Sequence, residues 1–204
     1  YPASPLTNNQ ANLHVYASGP NATLKYGATG NALNARSIKV SVNGTQVQDT
    51  LMDYFNDIVT TVPVPLALVN SATTSVQFEN TSSVSTDRMC VSFYELSYPR
   101  TFDFDNQKYF KFSLPASGNK FLQITNFNYG STAPVLLNLT DGLRIVGDVS
   151  TPGVVKFVVP AGGARDFVLV NVESSNAVAV ASLTAKTFQN FTTGANQGDY
   201  LIIS

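Results

Sequence analysis

The chain contains no tryptophan, one cysteine and one histidine, and little charge of either sign. With Cys90 alone, no intramolecular disulfide can form. Cys90 itself reads as a small buried hydrophobe in a strand. One cysteine and one histidine exclude a zinc site built mainly of nitrogen and sulfur ligands. A thiolate activated by His14 would require His14 and Cys90 to meet in space, and nothing in the sequence supports that. The formal net charge of −1 leaves no basic stripe to displace counterions from phosphates, which argues against nucleic acid as a partner and against an electrostatic membrane patch. No segment approaches the ~20 consecutive apolar residues of a membrane span. The opening stretch YPASPLTNNQ has neither a basic n-region nor an apolar core, so a secreted protein would be seen here as a mature or truncated piece. Helical periodicity is scarce as well: only Leu51 to Val59, LMDYFNDIV, could make a couple of helical turns.

What is present is a hydrophobic content of 44% alongside many short polar residues and many Tyr and Phe, which fits a folded extracellular β-protein rather than a disordered chain. The dominant period is two. Ile38, Val40 and Val42 alternate with Lys39 and Ser41, and Phe110, Phe112 and Leu114 alternate with Lys111 and Ser113, so each strand has one buried and one wet face. Asn43-Gly44 follows the first of these, a hairpin signal because both residues tolerate positive φ, and TQVQ returns as its partner. Further strands are expected at LHVYA, ATLKY, IVTTVPV, TSVQFEN, MCVSFYEL, KFLQITNF, PVLLNLT, VVKFVVP, FVLVNV and AVAVASLTAK. Turn-forming sequences separate them, among them Ser117-Gly118-Asn119, Asp141-Gly142, Pro152-Gly153 and Gly162-Gly163.

These features predict an all-β protein of two antiparallel β-sandwiches, jelly-roll or immunoglobulin-like, with little or no helix. The break at Pro99, which cannot donate to a ladder, places a first sandwich at 1–99 and a second at 100–193; one large sandwich is the alternative. Residues 194–204 would then be a linker followed by a strand, Tyr200 to Ile203, without a domain of its own.

Candidate chemistry is sparse. Asp103 and Asp105 stand two apart with Asn106 adjacent, so on a strand both carboxylates project from one face and could hold Ca²⁺. The same pair also fits a solvated strand end whose charge discourages edge-to-edge pairing. Gly162-Gly163 lies between strands and forms no phosphate cradle. Sugar-stacking platforms could come from nine tyrosines, although tryptophan is lacking. Asn-x-Ser/Thr sequons stand at Asn21, Asn43, Asn80, Asn138 and Asn190 and matter only in a eukaryotic secretory setting.

In MCVSFYELSYPRTFDFDNQKYFKF, 89–112, a strand ending in Y-P-R leads through a polar link to an aromatic-rich strand, and this looks like the segment ahead of the catalytic domain in gingipain-like cysteine peptidases of the Bacteroidetes. PVLLNLTDGLRIVGDV, 134–149, resembles their strand–turn–strand, and IKVSVNGTQV is similar to a hairpin in the accessory sandwich of type IX secretion sortases. NQGDYLIIS resembles the strand that opens the α/β peptidase domain. The resemblance, covering roughly 36–204, implies a non-catalytic accessory region that braces or positions a downstream peptidase domain, in a secreted or cell-surface protein of the type IX system. It supplies no catalytic residue to this chain, because the family's His and Cys lie beyond the position of Ser204. It implies no cofactor, and as partners the downstream domain and a cell-surface protein or glycan. A carbohydrate-binding or adhesive sandwich is the alternative. Within the same resemblance, Asp49-Thr50-Leu51 looks like an O-glycosylation pattern, which makes Thr50 a modification candidate.

If the strand at Tyr200 to Ile203 belongs to a following domain, Ile202→Asp is expected to leave the melting temperature nearly unchanged. Val40→Asp, which buries an unpaired carboxylate at a cost of several kcal/mol, should lower it far more. Thermal denaturation followed by circular dichroism compares them, and an equal loss for both would contradict the assignment.

Overall fold

The computed structural model describes residues 5–70, 72–178, 180–187 and 192. Among them lie fourteen strands and no α-helix: β1 (Leu6–Ala11), β2 (Ala22–Gly30), β3 (Ser37–Val42), β4 (Thr45–Leu51), β5 (Asp57–Val64), β6 (Thr73–Asn80), β7 (Met89–Ser97), β8 (Asp103–Gln107), β9 (Tyr109–Leu114), β10 (Lys120–Phe127), β11 (Val135–Asn138), β12 (Leu143–Val146), β13 (Val154–Val159) and β14 (Arg165–Val170). Two single 3₁₀ turns, Leu66–Leu68 and Ser174–Asn176, complete the regular structure. The protein is all-β, as its alternating sequence predicts. The strands form four sheets, ordered β1-β6-β3-β4, β5-β2-β7, β13-β10-β8 and β12-β11-β14-β9. Every pairing is antiparallel except β8 with β10, which is parallel.

Two hydrophobic clusters follow from the alternation. The first joins the inward faces of β2, β3, β5 and β6, where Leu24, Tyr26, Ile38, Val40, Val64 and Phe78 are almost fully buried. The second joins Phe104, Leu122, Ile124, Phe157, Phe167 and Leu169 from the sheets after Pro99. Burying each such side chain contributes roughly 1.5–3 kcal/mol. In the second cluster Phe104 stacks on Phe110 with ring centroids 4.0 Å apart, and Phe112 stacks on Phe167 at 5.5 Å. The Asn43-Gly44 hairpin forms as its sequence predicts. Asn43 takes φ +46° and Gly44 φ +77°, and Val42 pairs with Thr45 across a two-residue turn.

Other expectations need correction. LHVYA is not a strand: Asn12 and His14 take positive φ (57° and 48°), and Val15 lies in an isolated bridge to Arg100. The first strand is instead the polar LTNNQA, held by β6 along its full length and therefore invisible to hydrophobic periodicity. LMDYFNDIV forms no helix; its ends belong to β4 and β5, and the residues between make a turn with Tyr54 at φ +59°. The described residues of AVAVASLTAK form no strand, and Val178 and Leu183 are both 90% exposed. Cys90 does lie in a strand, β7, but it is exposed rather than buried, because the alternation puts Met89 and Val91 on the core side.

The turn between β4 and β5 is held from inside by Arg36, whose side chain is fully shielded from solvent together with that of Asp87. The guanidinium donates to both Asp87 oxygens, Nε at 2.7 Å and Nη2 at 2.6 Å, and also to the carbonyls of Ala32, Met52 and Tyr54. Asn34 and Asn80 donate to the same carboxylate at 2.9 and 2.7 Å. Four segments are thereby tied to one buried ion pair whose bonding capacity is well used. The hydrogen bonds from Arg36, which outweigh burial, hold the Asp87 carboxyl far below the ordinary carboxylate range.

A carboxylate depressed in the folded state contributes stability that is present above its unfolded pKa of about 3.9 and lost as pH falls below it. Asp87→Ala, which strands a buried guanidinium, is therefore expected to reduce the unfolding free energy at pH 7 by about 3–5 kcal/mol. Its penalty should shrink toward pH 3. Urea titrations at the two pH values measure both effects, and a loss at pH 7 below about 1 kcal/mol would show the network to be dispensable.

Candidate interaction site at the junction of the two sheet pairs

No ladder joins β1–β7 with β8–β14; the chain crosses between the two sets at Tyr98–Phe102. A strap formed by Asn12 to Tyr16 lies along this crossing. Tyr16 N–H donates to Pro99 O at 2.9 Å, and Thr101 donates to His14 O through its N–H at 2.8 Å and its hydroxyl at 3.0 Å. Gly19 packs so closely that a Cβ there would stand 2.3 Å from Pro99 Cβ. Arg100 crosses between strap and linker. Its Nη1 donates to the carbonyls of Asn12 and Leu13 at 3.0 and 2.9 Å, its Nη2 to Asp103 O at 2.8 Å, and its guanidinium carbon lies 4.9 Å from the Phe110 ring centre. A planar cation whose donors are fixed in a fork can bond both carbonyl groups while its face lies on the ring, a geometry that a lysine's point charge does not reproduce.

The strap also brings His14 to the carboxylates singled out in the sequence. Nδ1 lies 3.8 Å from Asp103 Oδ2 and Nε2 lies 3.7 Å from Asp105 Oδ1. The two aspartates share a side even though regular alternation fails, since Asp105 and Asn106 take φ of +49° and +57°. Burial opposes charge on Asp103, but hydrogen bonds from the Asp105 N–H and the Asn126 amide, at 3.0 and 2.8 Å, outweigh it and hold the carboxyl below its ordinary value. Both Asp103 oxygens are thus already engaged by protein donors. Among the described residues no group of three or more His, Cys, Asp or Glu is placed to hold a metal. Cys90, at the far end of β7 and paired with Thr29, is not brought to His14.

Beside the linker runs a cleft of about 820 Å³, lined by residues 96–102 on one side and by 110–114 of β9 on the other. Phe104 and Leu122, both buried, line it as well. A recess of about 460 Å³ shares Leu96 and Tyr98 with it and adds Gln10 and Tyr94, whose side chains bond at 2.6 Å.

The remaining candidates sit elsewhere. Thr50 is half-buried on β4, a strand at the border of its sheet, and its hydroxyl accepts a hydrogen bond from Gln48. The amides of Asn43, Asn80 and Asn138 all donate within the fold, to Leu68 O, Asp87 and Asp141, and Asn21 accepts from Leu66 N–H. Asn190 and the terminal Gln197 to Ser204 lie outside the described residues. Sequence reasoning missed Arg100 altogether. The Y-P-R triplet was its signal, but nothing local to that triplet names the carbonyls of Asn12 and Leu13 as its partners.

No protein-family model matches the chain, and no curated protein matches it by sequence. Comparison of folds does find a likeness. The chain is similar in structure to part of PorU from Porphyromonas gingivalis. The match to a crystal structure of dimeric latent PorU has a TM-score of 0.58 at 13% identity and covers 84% of this chain. It covers 18% of the PorU chain, so this chain spans less than a fifth of that protein. At this identity the likeness to PorU is one of fold. PorU is a type IX secretion sortase-like protein, so the resemblance drawn from the sequence is met at the level of a loosely related fold.

The strap and linker should depend on Arg100. In Arg100→Ala, hydrogen exchange at the Tyr16 and Thr101 amides is expected to quicken at least tenfold, with the β3 amides unaffected. Unchanged protection at Tyr16 and Thr101 would mean that backbone bonds alone hold the crossing.

Proposed function

We propose that this chain is a non-catalytic accessory region of a secreted, gingipain-like cysteine peptidase of the Bacteroidetes type IX system. In this reading it comprises two β-sandwich domains divided at Pro99 and Arg100, and it braces or positions a peptidase domain that follows in the same protein. The observation that carries the reading is the likeness of fold to a fraction of PorU, a much longer chain. The partition of strands and cores at the Tyr98–Phe102 crossing supports the division into two domains. The Arg100-centred junction supports a bracing role, since a spacer that positions another domain must resist bending where its own two halves meet. Surface placement outside the outer membrane follows from the same reading; among the described residues no helix is long and apolar enough to cross a membrane.

The coding sequence downstream of Ser204 tests this directly. An α/β pattern carrying a His followed by a Cys is expected within about 200 residues, one further domain's worth. The 204-residue chain alone should not turn over fluorogenic peptides. Absence of such a domain would remove the reading, and turnover that disappears in Cys90→Ala would replace it with an enzyme.

A further inference from the structure

The cleft at the junction is bordered by consecutive residues of β9, Phe110 to Leu114. Side chains of neighbouring strand residues point to opposite faces. A cleft that touches all five therefore runs along the strand's backbone edge rather than across one face. β9 ends its sheet, with β14 as its only strand partner among the described residues. One row of its peptide groups is thus paired, and the other borders the cleft without a neighbouring strand. Exposed edges of this kind are where extended chains add to sheets.

The charge along the cleft is one-sided. Its charged lining residues are Arg100, Lys111 and Lys120, with no carboxylate among the lining, although acidic residues slightly outnumber basic ones in the chain. Arg100 is committed to backbone carbonyls. Lys111 and Lys120 are exposed and take part in none of the ion pairs of the described residues, unlike Lys39, which pairs with Glu79. Between the lysines the wall is apolar, with Phe112 and Leu114 half-buried and Phe121 59% exposed. An apolar trough rimmed by unpaired cations beside a free strand edge complements one kind of occupant.

We propose that this cleft binds an extended peptide of alternating apolar and acidic residues. The peptide adds as a strand to the free edge of β9, places apolar side chains against Phe112 and Phe121, and sets its carboxylates against Lys111 and Lys120. Six residues, the length of β9, would span about 20 Å. The inference concerns this chain's own surface and holds whether or not a peptidase domain follows.

The probe is a fluorescein-labelled peptide, acetyl-Val-Glu-Leu-Glu-Val-Glu-Leu, titrated with the purified chain at low salt and followed by anisotropy. Saturable binding is expected, at least tenfold weaker for the peptide in which lysine replaces glutamate. In the Lys111→Glu/Lys120→Glu variant, both substitutions at exposed positions, that preference should reverse. Phe121→Ala should weaken binding severalfold. Of two versions of the peptide, N-methylated at the odd and at the even residues, the one whose methylated row faces β9 should lose at least tenfold, because that row can no longer pair. No saturable binding to the folded wild-type chain, an unchanged preference in the charge-reversed variant, or undiminished binding of both N-methylated peptides would each overturn the proposal. Charge-dependent binding of dodecanoate without binding of the peptide would also overturn it, and would assign the cleft to an anionic amphiphile.

Discussion

Where the chain crosses between its two sets of sheets, the hydrogen bonds of one guanidinium tie the strap, the linker and the start of the second set together. Arg100 holds the carbonyls of the N-terminal strap and of the second half's first strand, and no ladder crosses between the halves to share the task. The cleft beside it is lined by the linker and by β9, with the arginine lying 4.9 Å from the Phe110 ring centre where they meet. Remove the constraint and two sheet pairs remain, each with its own core, joined only by the linker and the backbone bonds of the strap.

The same device recurs inside each half. A chain with few charges places several of them where loops need anchoring, not in surface networks. Arg36 and Asp87 fasten four segments of the first half around a buried pair. In the second half Glu173 accepts from the N–H and hydroxyl of Ser131 and from the Thr132 N–H, and these bonds pull its carboxyl down to about 2. Gly130 makes room for that contact: its φ is +72°, and a Cβ there would stand 2.7 Å from the Glu173 side chain. Satisfied charges of this sort specify loop positions at a modest net gain, because desolvation offsets much of the attraction.

Legibility in the sequence tracked the distance over which each determinant acts. β3, its Asn-Gly turn and β4 were readable because alternation and positive-φ residues are local properties. β9 was readable for the same reason. β1 was not, since LTNNQA has no apolar alternation and becomes a strand only through its ladder to β6, more than sixty residues away. LHVYA misled for the converse reason: its alternation is that of a strand, but its backbone groups go to the crossing at Pro99 and Thr101 instead of to a sheet. Cys90 was placed in the right strand and on the wrong face; a β-bulge between β2 and β7 falls only a residue or two further along, where alternation ceases to predict facing.

By itself, then, the sequence determined the all-β class, most of the strands and the tightest hairpin, all consequences of residue type and short spacing. The carboxylates Asp103 and Asp105 were visible as a pair, but their neighbour His14 was not, nor was the reach of Arg100. Those contacts join residues more than eighty positions apart. Only the tertiary fold, by bringing the strap against the linker, decided that they would form, and with them the cleft beside β9.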